Sequence, residues 1–203
     1  MKARSFIGTG LALCFALLGA VLWSSAAAAQ EKFTIDALAE KKVGQLPAGP
    51  LYWTIETFPS LAAAQAAEGA TSLAAEHAGK AWLFTLAASG AVTSGGTKIA
   101  EIGPVPSVAA AQYLLRVNKA AGAPAAKTRV HTHPGSEAFF VLAGKLGQRT
   151  PHGIAYAEAG QAMNGHGPDT PMEVFSAGTD PLDQLVLFVV DASRPFSTPA
   201  KLD

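Results

Sequence analysis

Two of the five histidines in this 203-residue chain stand one residue apart, in Arg129-Val130-His131-Thr132-His133-Pro134-Gly135-Ser136-Glu137, and a carboxylate follows four positions after the second. On an extended strand, side chains at i and i+2 share a face, so His131 and His133 project together with Arg129 beside them. Pro134 and Gly135 supply turn chemistry, and residues 137–142, rich in aromatic and branched side chains, read as a second strand. A short hairpin is thus predicted to set Glu137 against His133. Two imidazoles and one carboxylate are the donors of the two-His, one-carboxylate metal sites, which leave positions open for substrate or oxygen. Phe139 and Val141 share the parity of Glu137 and are expected to line the walls of an apolar cup. Arg129 either anchors a carboxylate or phosphate of a substrate in that cup or forms a surface ion pair.

The pattern H-x-H-x3-E-x6-G, met by His131, His133, Glu137 and Gly144, resembles the first motif of the cupins. The likeness covers roughly residues 111–190, with Ala125 where the family usually has a glycine before the first histidine. It implies a mainly β fold, a cupin-type jelly-roll or double-stranded β-helix barrel, here with a short N-terminal strand-helix extension. It also implies a divalent metal (Fe, Mn, Zn or Ni) on His131, His133 and Glu137, and a small-molecule ligand. Dioxygenases, decarboxylases and isomerases are all compatible with the resemblance, as is a non-catalytic ligand-binding protein with structural metal or none. Pairing of two copies through edge strands is common in the family, so a homodimer is compatible too. Gly144-Lys145 fits a type II′ hairpin turn.

The second motif of that family, G-x5-P-x-G-x2-H-x3-N, is broken. Read strictly from Gly160, its proline position holds His166 and its histidine position holds Pro171. With Pro168 taken as the motif proline, the histidine position falls near Met172. Either His166 replaces the missing ligand from a shifted position, or the site keeps three ligands. Met172 is expected to pack at the barrel wall, since a thioether fills gaps well and favours soft metals. Without a metal, the trio needs a hydrogen-bond network, because each unsatisfied buried polar group costs about 1–3 kcal/mol.

The elements around this stretch follow from composition and punctuation. Met1-Lys2-Ala3-Arg4, an apolar run over residues 6–23 and the small residues 24–29 have the layout of a secretory signal peptide cleaved after Ala29, the alternative being an uncleaved anchor. Leu13, before Cys14, does not suit a lipoprotein signal. Cleavage removes the only cysteine, which leaves nitrogen, oxygen and thioether donors for any metal. It also removes Lys2 and Arg4, so 13 basic residues face 15 acidic ones, a balance of about −2 that gives no drive toward nucleic acid or a membrane surface. An exported, periplasmic or secreted protein of one domain is expected, with no membrane contact after cleavage.

Residues 30–49, with Lys41-Lys42 and Pro47-Ala48-Gly49-Pro50, read as an arm or linker in which a short helix over 35–41 is conceivable. Strands are expected over 51–58, 81–86 and 98–102, with a helix capped by Ser60 and closed by Gly69. Thr71 or Ser72 caps a further helical turn or two, placing His77 near a helix end. This segment, 50–105, is expected to add strands to the barrel edges and lay a helix across one face. The barrel occupies 106–192. Within it, residues 145–150 pair through Pro151-His152-Gly153 with 154–157, leaving His152 on a turn tip in solvent, and the apolar run 184–190 forms a buried strand. Residues 193–203 read as a tail.

Overall fold

A strand apolar at every position has both faces covered, and the most continuously apolar run of the described residues lies at the centre of the structure. The computed structural model describes Met1 and residues 33–202, so the expected leader, its expected cleavage site and Cys14 lie outside the described residues. The central sheet has the order β1 (Thr34–Val43), β6 (Tyr113–Gly122), β13 (Leu182–Asp191), β8 (Gly135–Ala143) and β11 (Ala162–Asn164), every neighbour antiparallel. Strand β13 is hydrogen-bonded on one side by β6 and on the other by β8. On one face of this sheet lie β10 (Gly153–Glu158), β9 (Lys145–Thr150) and β12 (Glu173–Ser176). Phe139, Val141, Leu146, Ala157, Val174, Val186 and Phe188 fill the barrel between them. The fold is mainly β and barrel-forming, as the sequence implies.

The segment before the barrel builds more than edge strands. It makes a sheet of its own, β3 (Ser72–His77), β4 (Lys80–Ala87), β2 (Tyr52–Phe58) and β5 (Thr97–Ile102) in that order. Trp53, Ile55, Trp82, Phe84 and Leu86 from it pack against Leu115, Val117, Ala138, Phe140, Leu185 and Leu187 of the central sheet. The one helix among the described residues, α1 (Leu61–Ala66), capped by Ser60 Oγ accepting from the Ala63 amide, covers the remote face over Phe58, Ala81 and Leu83. The helical turns expected from Thr71 onward are instead strand β3. Alanine is the strongest helix former, but this stretch is short and pairing with β4 buries Leu73 and Ala75, so tertiary contact overrides propensity. His77 therefore ends a strand, where its Nε2 lies 2.9 Å from the Asp183 carboxylate.

Four further expectations are corrected. Residues 30–49 are not a free arm, and no helix forms over 35–41: β1 pairs with β6 from Thr34↔Ala121 to Val43↔Tyr113, and a bulge between Ala37 and Ala39 helps Leu38, Ala39 and Val43 reach the outer core. The histidine stretch is not the first arm of a hairpin. Strand β7 is only His131–Thr132, and it pairs with β14 (Thr198–Pro199), while the chain bends at His133-Pro134 into β8. At this bend Gly135 lies so close to β13 that a Cβ would stand 2.2 Å from the Val189 carbonyl oxygen, so β13 occupies the edge a hairpin partner would need. Gly144, at φ +73°, is the corner where the chain leaves the central sheet for β9 of the facing one, and β8 and β9 do not pair. Finally, residues 193–200 are no loose tail, since β14 lies along the histidine strand. The expected hairpin between β9 and β10 is present, with Thr150 opposite Gly153.

Candidate functional site

The bend at Pro134 achieves what the hairpin was expected to do. It turns His133 back over the first inward residue of β8, and His133 Nε2 lies 4.0 Å from Glu137 Oε2. Both groups are buried, at 5% and 2% exposure. The His131 ring stands edge-on to that of His133, with 4.9 Å between centroids. His131 is pinned by its backbone, which exchanges hydrogen bonds with Met172 on one side and faces Pro199 of β14 on the other.

Tautomers at this site are set by backbone carbonyls, which can only accept. His131 Nδ1 is 2.8 Å from the Arg129 carbonyl oxygen and His133 Nδ1 is 2.6 Å from that of Phe196. A neutral imidazole in either place carries its proton on Nδ1 and keeps a lone pair on Nε2. For His133 that lone pair faces a carboxyl oxygen. Burial lowers the pKa of His133 to about 4, against the raising effect of the Phe196 carbonyl and with help from His131 and Arg116, so the ring is neutral near pH 7. Burial raises Glu137 to about 8, although Gln148 Nε2 donates to its Oε1 at 2.6 Å. Gln148 Oε1 is buried without a partner.

His133 and Glu137 are brought together as expected, with His131 beside them. Among the described residues, however, no three His, Cys, Asp or Glu side chains are gathered closely enough to enclose an ion as they stand. Phe139 and Val141 do share the inward face of β8 with Glu137, but at 1% and 0% exposure they are packed into the core. Met172 is equally buried, with its sulfur 3.6 Å from Gln148 Nε2. Arg129 lies outside β7 and is exposed, and it meets the site through the carbonyl that orients His131. Gly165 packs onto the Glu137 backbone, its amide donating to the Glu137 carbonyl, but the ring of the next residue, His166, lies against that of His152, 5.2 Å between centroids.

Three participants were missed. Gln148 had a readable signal, because it shares the parity of Leu146 on a strand expected to pair inward. Phe188 flanks the His133 ring at 4.9 Å and was read only as part of an apolar strand. Phe196 had no signal, since nothing in a proline-containing tail says which carbonyl will reach a residue 63 positions earlier.

His131 thus lies on the two-stranded ribbon of β7 and β14, His133 at the bend after it, Glu137 on β8 of the central sheet, and Gly144 at the corner toward the facing sheet. The fold is cupin-like. No family model matches the chain, and no curated protein matches it. Among solved structures it is similar to a DMSP lyase from Ruegeria pomeroyi DSS-3, at 21% identity and a TM-score of 0.37, over 42% of this chain and 43% of that one. It is similar to the polyketide cyclase RemF from Streptomyces resistomycificus, at 19% identity and a TM-score of 0.37, over 44% of this chain and 62% of that one. A cupin-like protein from Thermotoga maritima is 18% identical with a TM-score of 0.38, over 43% of this chain and 65% of that one. The matched part is thus less than half of this chain and less than two thirds of each of these proteins.

Proposed function

We propose that this is an exported cupin-type protein that holds a divalent metal ion on His131, His133 and Glu137 and acts on a small molecule at the coordination positions left open. One observation carries the reading: His133 presents an Nε2 lone pair to a buried carboxyl oxygen 4.0 Å away. With Glu137 ionised, two acceptors would face each other in a dry interior; the raised pKa of Glu137 lets a proton relieve this in the metal-free chain, and a metal cation between or beside the two would take the place of that proton. A metal-ligating histidine typically donates its other ring N–H to a carbonyl or carboxylate, and both histidines here do so. Gln148, donating to Glu137, adds the outer hydrogen bond that orients a ligating carboxylate. The donor set therefore fits a borderline divalent ion such as zinc, iron, manganese or nickel. Such an ion supplies Lewis-acid or redox chemistry when bound. The protein's own part is to hold the two imidazoles in one tautomer, keep water from Glu137 and leave half-exposed His131 as the side of approach.

A second reading, a non-catalytic binding protein, draws on the packed interior. Phe139, Val141 and Met172 are packed into the core, and the acid or base that catalysis needs beside an open position is not among the side chains bonded to Glu137. Export rests on the sequence of residues 1–29. Among the described residues no helix is long and apolar enough to cross a membrane.

Elemental analysis of protein purified without chelator tests the metal. About one equivalent is expected, lost in His133→Ala and in Glu137→Gln, with both variants folded. A metal-free wild type that also fails to take up added zinc, iron, manganese or nickel overturns the reading.

A further inference from the structure

His133 is held from three directions by segments distant in sequence. Its Nδ1 meets the Phe196 carbonyl oxygen at 2.6 Å. Its ring lies between those of Phe188 and Phe196, with centroids 4.9 Å and 4.8 Å away. Its own carbonyl accepts from the Asp169 amide at 2.8 Å. Residues 193–200 are fixed in turn along their length. Asp191 accepts from the amide and hydroxyl of Ser193 and so turns the chain out of β13. Arg194 makes a two-pronged contact with Asp169, at 2.7 Å and 3.0 Å. The Arg116 guanidinium lies 4.5 Å from the centre of the Phe196 ring. Beyond it, β14 pairs with β7 and the Ala200 amide donates to the Val130 carbonyl.

We infer that residues 193–200 are a positioning strap of the site: through the Phe196 carbonyl they fix His133 as its Nδ1–H tautomer, and through the Phe196 ring they fix its rotation, so that the Nε2 lone pair faces Glu137. Phe196 is a positioning residue, since it acts through His133. The tautomer claim stands on the strap's geometry alone, whereas its consequence for an ion rests on the proposed metal site. An imidazole free in water samples both tautomers, and a ring that can turn presents either nitrogen. Removing the strap restores that freedom without touching a donor. The outer clamp, Arg194–Asp169, is half-exposed on both sides, so it is weak, and the strap is held mainly by Phe196 and β14.

The test is the imidazole nitrogen spectrum of the 15N-labelled, metal-free chain, compared between the intact protein and a version ending after Ser193. The intact chain should show His133 with a protonated Nδ1 and a bare Nε2, and the shortened chain a mixture with substantial Nε2–H. If the shortened chain does not fold, Phe196→Gly in the intact chain, which frees the backbone at that point, is read in the same way. A single unchanged His133 tautomer in a folded variant overturns the strap, as does an Nε2–H tautomer in the intact chain. Zinc titration of the same samples gives the second readout, with a loss of about tenfold or more expected in the variant. A tautomer change with no zinc bound by either sample confirms the strap and counts against the metal site, so the two claims fail separately.

Discussion

The two faces of the central sheet are built from the same strands and do opposite work. The face toward the N-terminal sheet is almost wholly apolar, with Trp82 packed against Phe84 and Phe140 and with Leu185, Leu187 and Val189 fully buried. The face toward the barrel carries Glu137 and Gln184 among its aliphatic neighbours, with Gln148 and Ser176 across the interior. Gln148 Oε1, Ser176 Oγ and both amide atoms of Gln184 have no partner on the inner side, whereas Trp53 Nε1 and Ser136 Oγ have none on the outer. Such atoms each cost about 1–3 kcal/mol, so both faces give up some stability and the inner one gives up more. Parity along a strand thus separates holding the fold from serving the site, one residue to the next.

The largest effect should come from the outer face alone. Trp82→Ala should cost about 3–5 kcal/mol in denaturant unfolding, while the molecules that remain folded keep their metal content. Loss of metal from folded Trp82→Ala would show that the two faces are not separable. Gly135 is the point where they meet, because an added Cβ there would strike β13 backbone. Gly135→Ala should therefore cost about 1–3 kcal/mol and also weaken metal binding, a double effect that a purely structural position would not give.

Titration sharpens the same contrast. In the metal-free chain Glu137 keeps its proton up to about pH 8, whereas the unfolded chain loses it near 4.5, and His133 loses its proton near 4 when folded but near 6.5 when unfolded. Between about pH 4.5 and 6.5 the two differences offset each other. From pH 6.5 to 8 only Glu137 differs, the folded state binds one more proton, and stability should fall with rising pH by roughly 2 kcal/mol. Urea unfolding with chelator present measures this, and Glu137→Gln should flatten the slope; a slope that persists in the variant assigns it elsewhere. Smallest of all, Arg194→Ala breaks only a half-exposed clamp and should change global stability by less than about 1 kcal/mol, while speeding hydrogen exchange at the Ala200 amide.

What the sequence could reveal follows the same division. Period-two alternation and aromatic or branched runs were enough to place β2, β4, β5, β8 and β13, because those strands bury side chains that announce themselves. His133 and Glu137 were legible through spacing, since four residues of chain around Pro134 leave little choice of distance. Strands β1 and β3 were not, because Ala37, Ala39, Ala74 and Ala75 favour helix over strand by themselves and take their conformation from β6 and β4. Nor was the role of Phe196, which depends on a backbone carbonyl that every residue possesses.

The pairing of β1 with β6 also bears on how the chain reaches this structure. Residues 34–43 and 113–121 are neighbours, so the whole four-stranded sheet is an excursion between two adjacent strands. That excursion can close through the short-range contacts of β3 with β4, whereas the barrel must wait for β13 to find β6 and β8 across much longer loops. Trp53 and Trp82, the tryptophans of the described residues, both lie in the excursion. Tryptophan fluorescence should therefore recover in two steps in refolding, a first as β3 and β4 pair and a second when β8 and β13 close over Trp82. The capacity to bind zinc should come only with the second, the two clocks of one chain running apart by the time it takes distant strands to meet.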